Sequence, residues 1–452
     1  MKAVKNTMKL KRIALAFAVL LAVLVAVPFL VPMGTYVKQI EQLASEKLGQ
    51  PVSVGSLRLA LLPTPRANIG TLRIGRDHDV TVDNIAVIPE LGSLFSEVKV
   101  ISSVVVKRPV VRKSALDFIS AMPKSESTGG PAKVQIRRLV ISDAQLEWEG
   151  MKIPVLNIEV ALAEDNKLQS ASLASVDSKL KVNATPKDAA YAIKLEAHQW
   201  TPPAGPPLLF DSLNSDMLLK GSRLDVSALD AKLYQGTLRA TAGLDWSKGW
   251  RASGKFRTDA IEVGDVAGLF SKSKPVSGRL SGDGIFGANA KDAAVLADHL
   301  VLDYKFSVAK GVLHGVDLAK AATLLLNAGE KGGETRFDEL TGNLHMAGKQ
   351  IDLRTFKVAS GLLAATGRVK VSPAKQLDGK VEVELKKGVA MISVPLQVSG
   401  TLDDPSVMPT KAALAGAVAG TGLLGPGIGT SLGVKAASGV EKLKGLFGGD
   451  KK

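Results

Sequence analysis

From Val52 to about residue 405, branched aliphatic side chains return every second residue in short runs, and no other feature restricts the fold as strongly. VSVGSLRLAL places Val52 and Val54, then Leu57 and Leu59, on alternating positions. VKVISSVVVKRPVV does so with Val104 and Val106, VQIRRLVIS with Val134 and Ile136, and KIPVLNIEVAL with Ile158 and Val160. Further along, Leu224 and Val226, and Ile351 and Leu353, continue the rhythm. A period of two belongs to a pleated strand, not to a helix, and Gly, Pro, Asn or Asp separates most runs. Each run reads as a strand of about four to eight residues. Aromatics are only 4% of the chain, so its apolar mass is Val, Leu, Ile and Ala. So many short strands cannot lie in one flat sheet. The predicted fold is mainly β: an elongated, curled, antiparallel-rich sheet whose apolar face lines a groove, with the residues just named as its candidate lining.

The N-terminus reads differently. Ile13–Val31 (IALAFAVLLAVLVAVPFLV) has no charged or hydrogen-bonding side chain, and Lys2, Lys5, Lys9, Lys11 and Arg12 precede it. That length matches the hydrocarbon core of a bilayer, and the positive flank places the N-terminus in the cytoplasm. A cleaved signal peptide is the competing reading; the run is too long, and Pro28, Phe29, Pro32 and Met33 stand where a small-x-small site belongs. The expected order is a basic segment at 1–12, an anchor at 13–35 and a connecting helix at 36–50. A first β region at 51–200, a second at 208–405 and a Gly/Ala-rich tail at 406–452 follow. Short helices are expected at Ala260–Ser271, Lys291–Leu300 and Val316–Ala328. SGDGIFGANA, from Ser281, reads as turns.

Chemistry is scarce. The chain has no cysteine, which removes disulfides and thiolate sites together. His78, His198, His299, His314 and His345 show no metal-ligand spacing, and no nucleophile elbow, P-loop or calcium loop is present. The adjacent Asp403 and Asp404 precede Pro405 and read as a turn. The expectation is no enzyme, no cofactor and no metal. Much of the net charge of +15 sits at the two ends, without interleaved aromatics, so nucleic acid is not an expected partner.

Two regions carry a resemblance. LGQPVSVGSLRLALLPTPRANIGTLRIG, from Leu48, has a turn held by Pro63 and Pro65. FSVAKGVLHGVDLAKAATLL, from Phe306, contains Gly311, Gly315, Val316, Asp317 and Leu318, and VPLQVSGTLDDPSVMP, from Val394, contains Gly400 and Pro405. These segments resemble the AsmA family, the later ones its C-terminal region. The resemblance implies an inner-membrane-anchored periplasmic protein of Gram-negative bacteria, built on a curled β-sheet with an apolar groove. It also implies links to outer-membrane biogenesis and phospholipid movement. It offers no catalytic residues. The glycines and prolines fit turn geometry, and Asp317 an N-cap.

The tail has two readings. Ala412–Val434 is free of charge and carries Gly416/Gly420 and Gly425/Gly429 pairs, which suits contact with a bilayer. Its glycines equally suit a flexible linker. The expected function is sheltering the acyl chains of membrane lipids against Val/Ile/Leu-lined strands. The alternative is a non-transporting scaffold that supports outer-membrane protein assembly, with its interior filled by its own side chains and assembly proteins as partners.

Overall fold

The computed structural model describes residues 33–115, 134–148, 151–203, 207–269, 271–323, 332–361, 363–387 and 390–415. The expected basic segment, all but the last three residues of the expected anchor, and most of the tail lie outside them. No helix among the described residues is long and apolar enough to cross a membrane. The chain is mainly β with few helices, and it forms two compact units that divide after Glu196.

In the first unit, helix α1 (Met33–Leu48) precedes β1 (Val52–Ala60), β2 (Arg66–Ile74), β3 (Val80–Pro89) and β4 (Lys99–Arg112). Then come β5 (Val134–Ile136), β6 (Arg138–Glu147), β7 (Leu156–Leu162), β8 (Leu168–Ser175) and β9 (Leu180–Lys187). Neighbours pair antiparallel, except that β4 pairs parallel with β5 and β6. Parallel pairing requires a long connection, and β4 ends at Arg112 while β5 begins only at Val134. α1 ends at Gly49, whose φ of +63° suits a residue without a β-carbon. It lies along the free edge of β1. There the Val54 N–H donates to Glu41 Oε1 at 2.7 Å and the Val52 N–H to Ser45 Oγ at 2.9 Å. Exposed edge amides invite aggregation, and this helix satisfies two of them. Val37, Ile40, Ala44 and Leu48 are half-buried, whereas Leu43 points to solvent, one step off that stripe.

The second unit opens inside β10 (Ala190–Trp200), which contains the division. It continues with β11 (Phe210–Lys220), β12 (Arg223–Leu233), β13 (Gly236–Asp245), β14 (Trp250–Glu262), β15 (Val276–Ala290) and β16 (Val301–His314). β17 (Glu334–Ala347), β18 (Gln350–Ala359), β19 (Leu363–Val371), β20 (Leu377–Lys387), β21 (Ala390–Gly400) and β22 (Pro405–Pro409) complete it. From β11 on, each strand pairs antiparallel with the next. Helix α2 (Val263–Ala267), a 3-10 turn (Ala293–His299) and helix α3 (Leu318–Ala322) interrupt it, inside the three spans expected to be helical. Asp317 caps α3 by accepting from the Lys320 N–H at 2.9 Å.

One sequence expectation is overturned. SGDGIFGANA is strand, within the 15-residue β15, and not a set of turns. The reason is aromatic: rings from neighbouring strands lie on the glycines' bare Cα atoms. A β-carbon at Gly284 would meet Phe256, one at Gly282 Tyr304, one at Gly342 Phe306, and one at Gly311 Phe337. Most strands also run longer than the expected eight residues.

Candidate functional site: two apolar ladders

The available side chains are aliphatic, so the site is a pair of rows, not a cluster. Directly paired residues share a face of a sheet. In the first unit Leu57 pairs with Ile69, then Ile85, Val106, Ile141, Ile158, Leu173 and Val182 follow, each paired with the one before. Two residues along, a second ladder joins Leu59, Ala67, Val87, Val104, Leu139, Val160, Ala171 and Ala184. The ladders lie roughly 7 Å apart and each spans about 34 Å at strand spacing. Not one member is buried: Leu59 is exposed and all the others are half-buried. The opposite face is polar in places, with Arg138 pairing Glu159 at 2.7 Å.

A transverse crease bounds the ladders. Each of five adjacent strands carries two consecutive non-apolar residues: Gly55–Ser56, Gly70–Thr71, Asp83–Asn84, Lys107–Arg108 and Ser142–Asp143. Thr71, Arg108 and Asp143 have φ of 51°, 46° and 56°. Arg108 Nε donates to Asp83 across the crease at 2.5 Å. Past it the apolar positions change parity, and Val52, Val54, Val82, Ala144 and Leu156 are buried. The apolar positions therefore divide into an open set and a closed set.

Of the residues singled out in sequence, Leu57, Val106 and Ile158 stand on the first ladder, and Leu59, Val104 and Val160 on the second. Val52 and Val54 lie beyond the crease, in the closed part. Ile136 pairs with Ile101 nearer the strand ends, and Val134 is exposed at the tip of β5. In the second unit Val226 and Ile351 occupy one ladder, with Ala242, Gly254, Phe286, Leu302, Met346 and Val371. Leu353 lies on the next, with Phe256 and Tyr304, and Leu224 pairs with Leu219 and Leu244. Pro63 and Pro65 hold the β1–β2 connection. Gly315 and Gly400 have φ of 78° and 86°. Gly311, by contrast, lies within β16 beneath Phe337, and Pro405 starts β22.

The second unit closes progressively. Its apolar positions are half-buried at Val226 and Ala242 but buried at Ala231 and Leu233, and the seal is complete at β19–β21, where Val383 and Leu396 are 0% exposed. α3 packs on β20 and β21, and its Leu318, Ala321 and Ala322 join the core with Val394, Val358 and Ala413. On strands β12–β18 an open concavity of about 1010 Å³ is lined by Arg239, Arg257, Asp283 and Arg354 together with Leu229, Phe256, Ile285 and Leu344. Its lining is mixed, apolar side chains alternating with charged ones, and Arg257 donates to Asp283 at 2.7 Å. Burial raises the Tyr304 phenol above its ordinary value, offset in part by the Thr258 hydroxyl at 2.5 Å. Asp403 is held below the usual carboxylate range by the Ser271 hydroxyl and the Lys272 N–H. Among the described residues no three His, Asp or Glu side chains could hold a metal ion.

Sequence reading missed Ile69, Ile85 and Ile141 as ladder members, although VQIRRLVIS, the run of Ile141, reads as a strand. The signal was present: two non-apolar residues in a row, repeated strand after strand. Residues 203–349 match the sequence model of a known family, a span that begins just before β11 and ends after β17. The first resembling segment, from Leu48, and the last, from Val394, lie outside it. No curated protein and no solved structure matches the chain.

Proposed function

We propose that, in a chain whose residues 203–349 match the model of the AsmA family, the paired ladders of the first unit shelter the acyl chains of membrane lipids. In this reading the protein is anchored in the inner membrane by residues 13–35, faces the periplasm, and contributes to outer-membrane biogenesis or to phospholipid movement between membranes. One observation carries it. Sixteen small aliphatic side chains form two unbroken rows, none sealed by the protein's own packing. Half-covering about ten methylenes, at roughly 0.8 kcal/mol per fully buried one, gives about 4 kcal/mol. That retains a lipid while still letting it leave. The rows run across the strands, so an acyl chain laid between them meets hydrocarbon on both sides, and a headgroup stays at the wetter edge.

A second reading fits the other unit. The sealed interior of β19–β21 is filled by its own side chains, which favours a scaffolding role there in support of outer-membrane protein assembly. The first reading is tested by mass spectrometry of lipids co-purifying with the protein. Val106→Asp with Ile141→Asp places two charges side by side on the first ladder. Loss of bound phospholipid in a folded variant is the expected result. Unchanged lipid content removes the ladders from the account.

A further inference from the structure

One end of the first unit is studded with apolar side chains that no described residue covers. β1 finishes there, β2 starts, β3 finishes, and β4 and β5 start. Leu62 in the β1–β2 connection is 59% exposed, Leu91 54%, Phe95 96% and Val134 48%. The opposite end has Val176 alone among the large exposed hydrophobics of the strand connections. Phe95 is not out by accident of a loose loop. Ser93 is buried in the 3-10 turn Leu91–Phe95; its hydroxyl donates to the Glu90 carbonyl at 2.7 Å and accepts from the Val100 N–H at 2.8 Å. Lys99 Nζ donates to the Ser96 carbonyl at 2.7 Å. The turn is built, and it holds the ring outward.

The direction of α1 identifies the occupant. Glu41 meets Val54 and Ser45 meets Val52, so α1 runs antiparallel to β1 and its N-terminus points toward this same end. In sequence, the uncharged run Ile13–Val31 ends two residues before α1 begins. We propose that this end seats on the lipid surface the run enters, with Phe95, Leu91 and Leu62 wedged among the headgroups. Leu62 to Val134 spans five strands, about 19 Å. Isolated exposed leucines are ordinary, whereas an apolar patch of that width marks an interaction surface. Lys99 and Arg137 stand on the same end, Arg137 paired with Glu90 at 3.1 Å and Glu97 close by in sequence, so the seat rests on the apolar side chains and not on net charge. The inference deepens the acyl-chain reading, since it brings one end of the strands that carry the ladders to a bilayer.

The absence of cysteine makes the test clean. Single cysteines replace Ser96, Thr64, Lys179 at the far end, and Ala22 within the apolar run, each in the full-length chain. An environment-sensitive dye on each is read in vesicles of phosphatidylethanolamine and phosphatidylglycerol. Nitroxide lipid is expected to quench the dye at 96, 64 and 22 several-fold more than at 179, and Phe95→Asp to abolish the difference at 96. Iodide-accessible dye at 96, matching that at 179, overturns the proposal, whether or not position 22 is quenched. Dye at 96 shielded from both quenchers overturns it too, in favour of a protein partner. Lipid content by mass spectrometry is read separately, so failure here is distinguishable from failure of the ladders.

Discussion

At Gly284 the ring of Phe256 lies where a β-carbon would stand. Gly284→Ala therefore forces the ring off its site, at about 1–3 kcal/mol for overpacking. Gly287, three residues on in β15, meets only an ordinary contact at 3.8 Å, so Gly287→Ala stays within about 0.5 kcal/mol. Urea unfolding of the two variants checks the contrast; equal losses refute the ring-on-glycine account. Asp403 works by charge. It accepts from Ser271 Oγ at 2.8 Å and from the Lys272 N–H at 2.9 Å, joining the segment after α2 to the β21–β22 turn. Its folded pKa is lowered, so its stabilisation is complete above the unfolded value of about 3.9 and is lost as pH falls through the folded one. Asp403→Ala is expected to destabilise at neutral pH, with the deficit shrinking below about pH 4 in a pH series of thermal unfolding. Residue types alone identify such an acid as a turn former; only the fold reveals the hydroxyl 132 positions away.

The crease belongs to the element scale, because no single strand explains it. V-S-V-GS-L-R-L, V-T-V-DN-I-A-V and V-V-V-KR-P-V-V repeat one plan: alternation, a non-apolar pair, alternation in the other parity. Strand identity was legible from the alternation, and the helix positions from capping residues such as Asp317. The parity change was written in the same runs, but a lone pair reads as noise until neighbouring strands align it. At Asp143, φ of 56° is tolerable for Asp and costly for a β-branched residue. Asp143→Val is expected to destabilise by about 1–2 kcal/mol, and Asp143→Gly by nothing or to stabilise, in equilibrium unfolding. Packing divides the elements as well. Leu396→Ala in the sealed β21 should cost about 2–5 kcal/mol, whereas Val106→Ala on an open ladder should cost well under 1.5. Similar costs would mean that the ladders are as closed as the β19–β21 core.

For the whole molecule, the mainly β fold and the AsmA resemblance followed from rhythm and from the segments around Phe306. What did not follow was which part of the apolar face stays open. Val52 and Val106 look alike in sequence, and burial separates them: the first lies beyond the crease in the closed part, the second on an uncovered row. Closure depends on what lies over a face, and neighbours distant in sequence decide that. The account's central claim is that lipid meets one face of the first unit and not the other. Adjacent positions in a strand face opposite ways, so photo-reactive residues at Val106 and Val105, and at Ile141 and Val140, provide the most direct measurement. In living cells the account predicts phospholipid adducts at 106 and 141 and few at 105 and 140; equal labelling at all four, or none at 106 and 141, would contradict it.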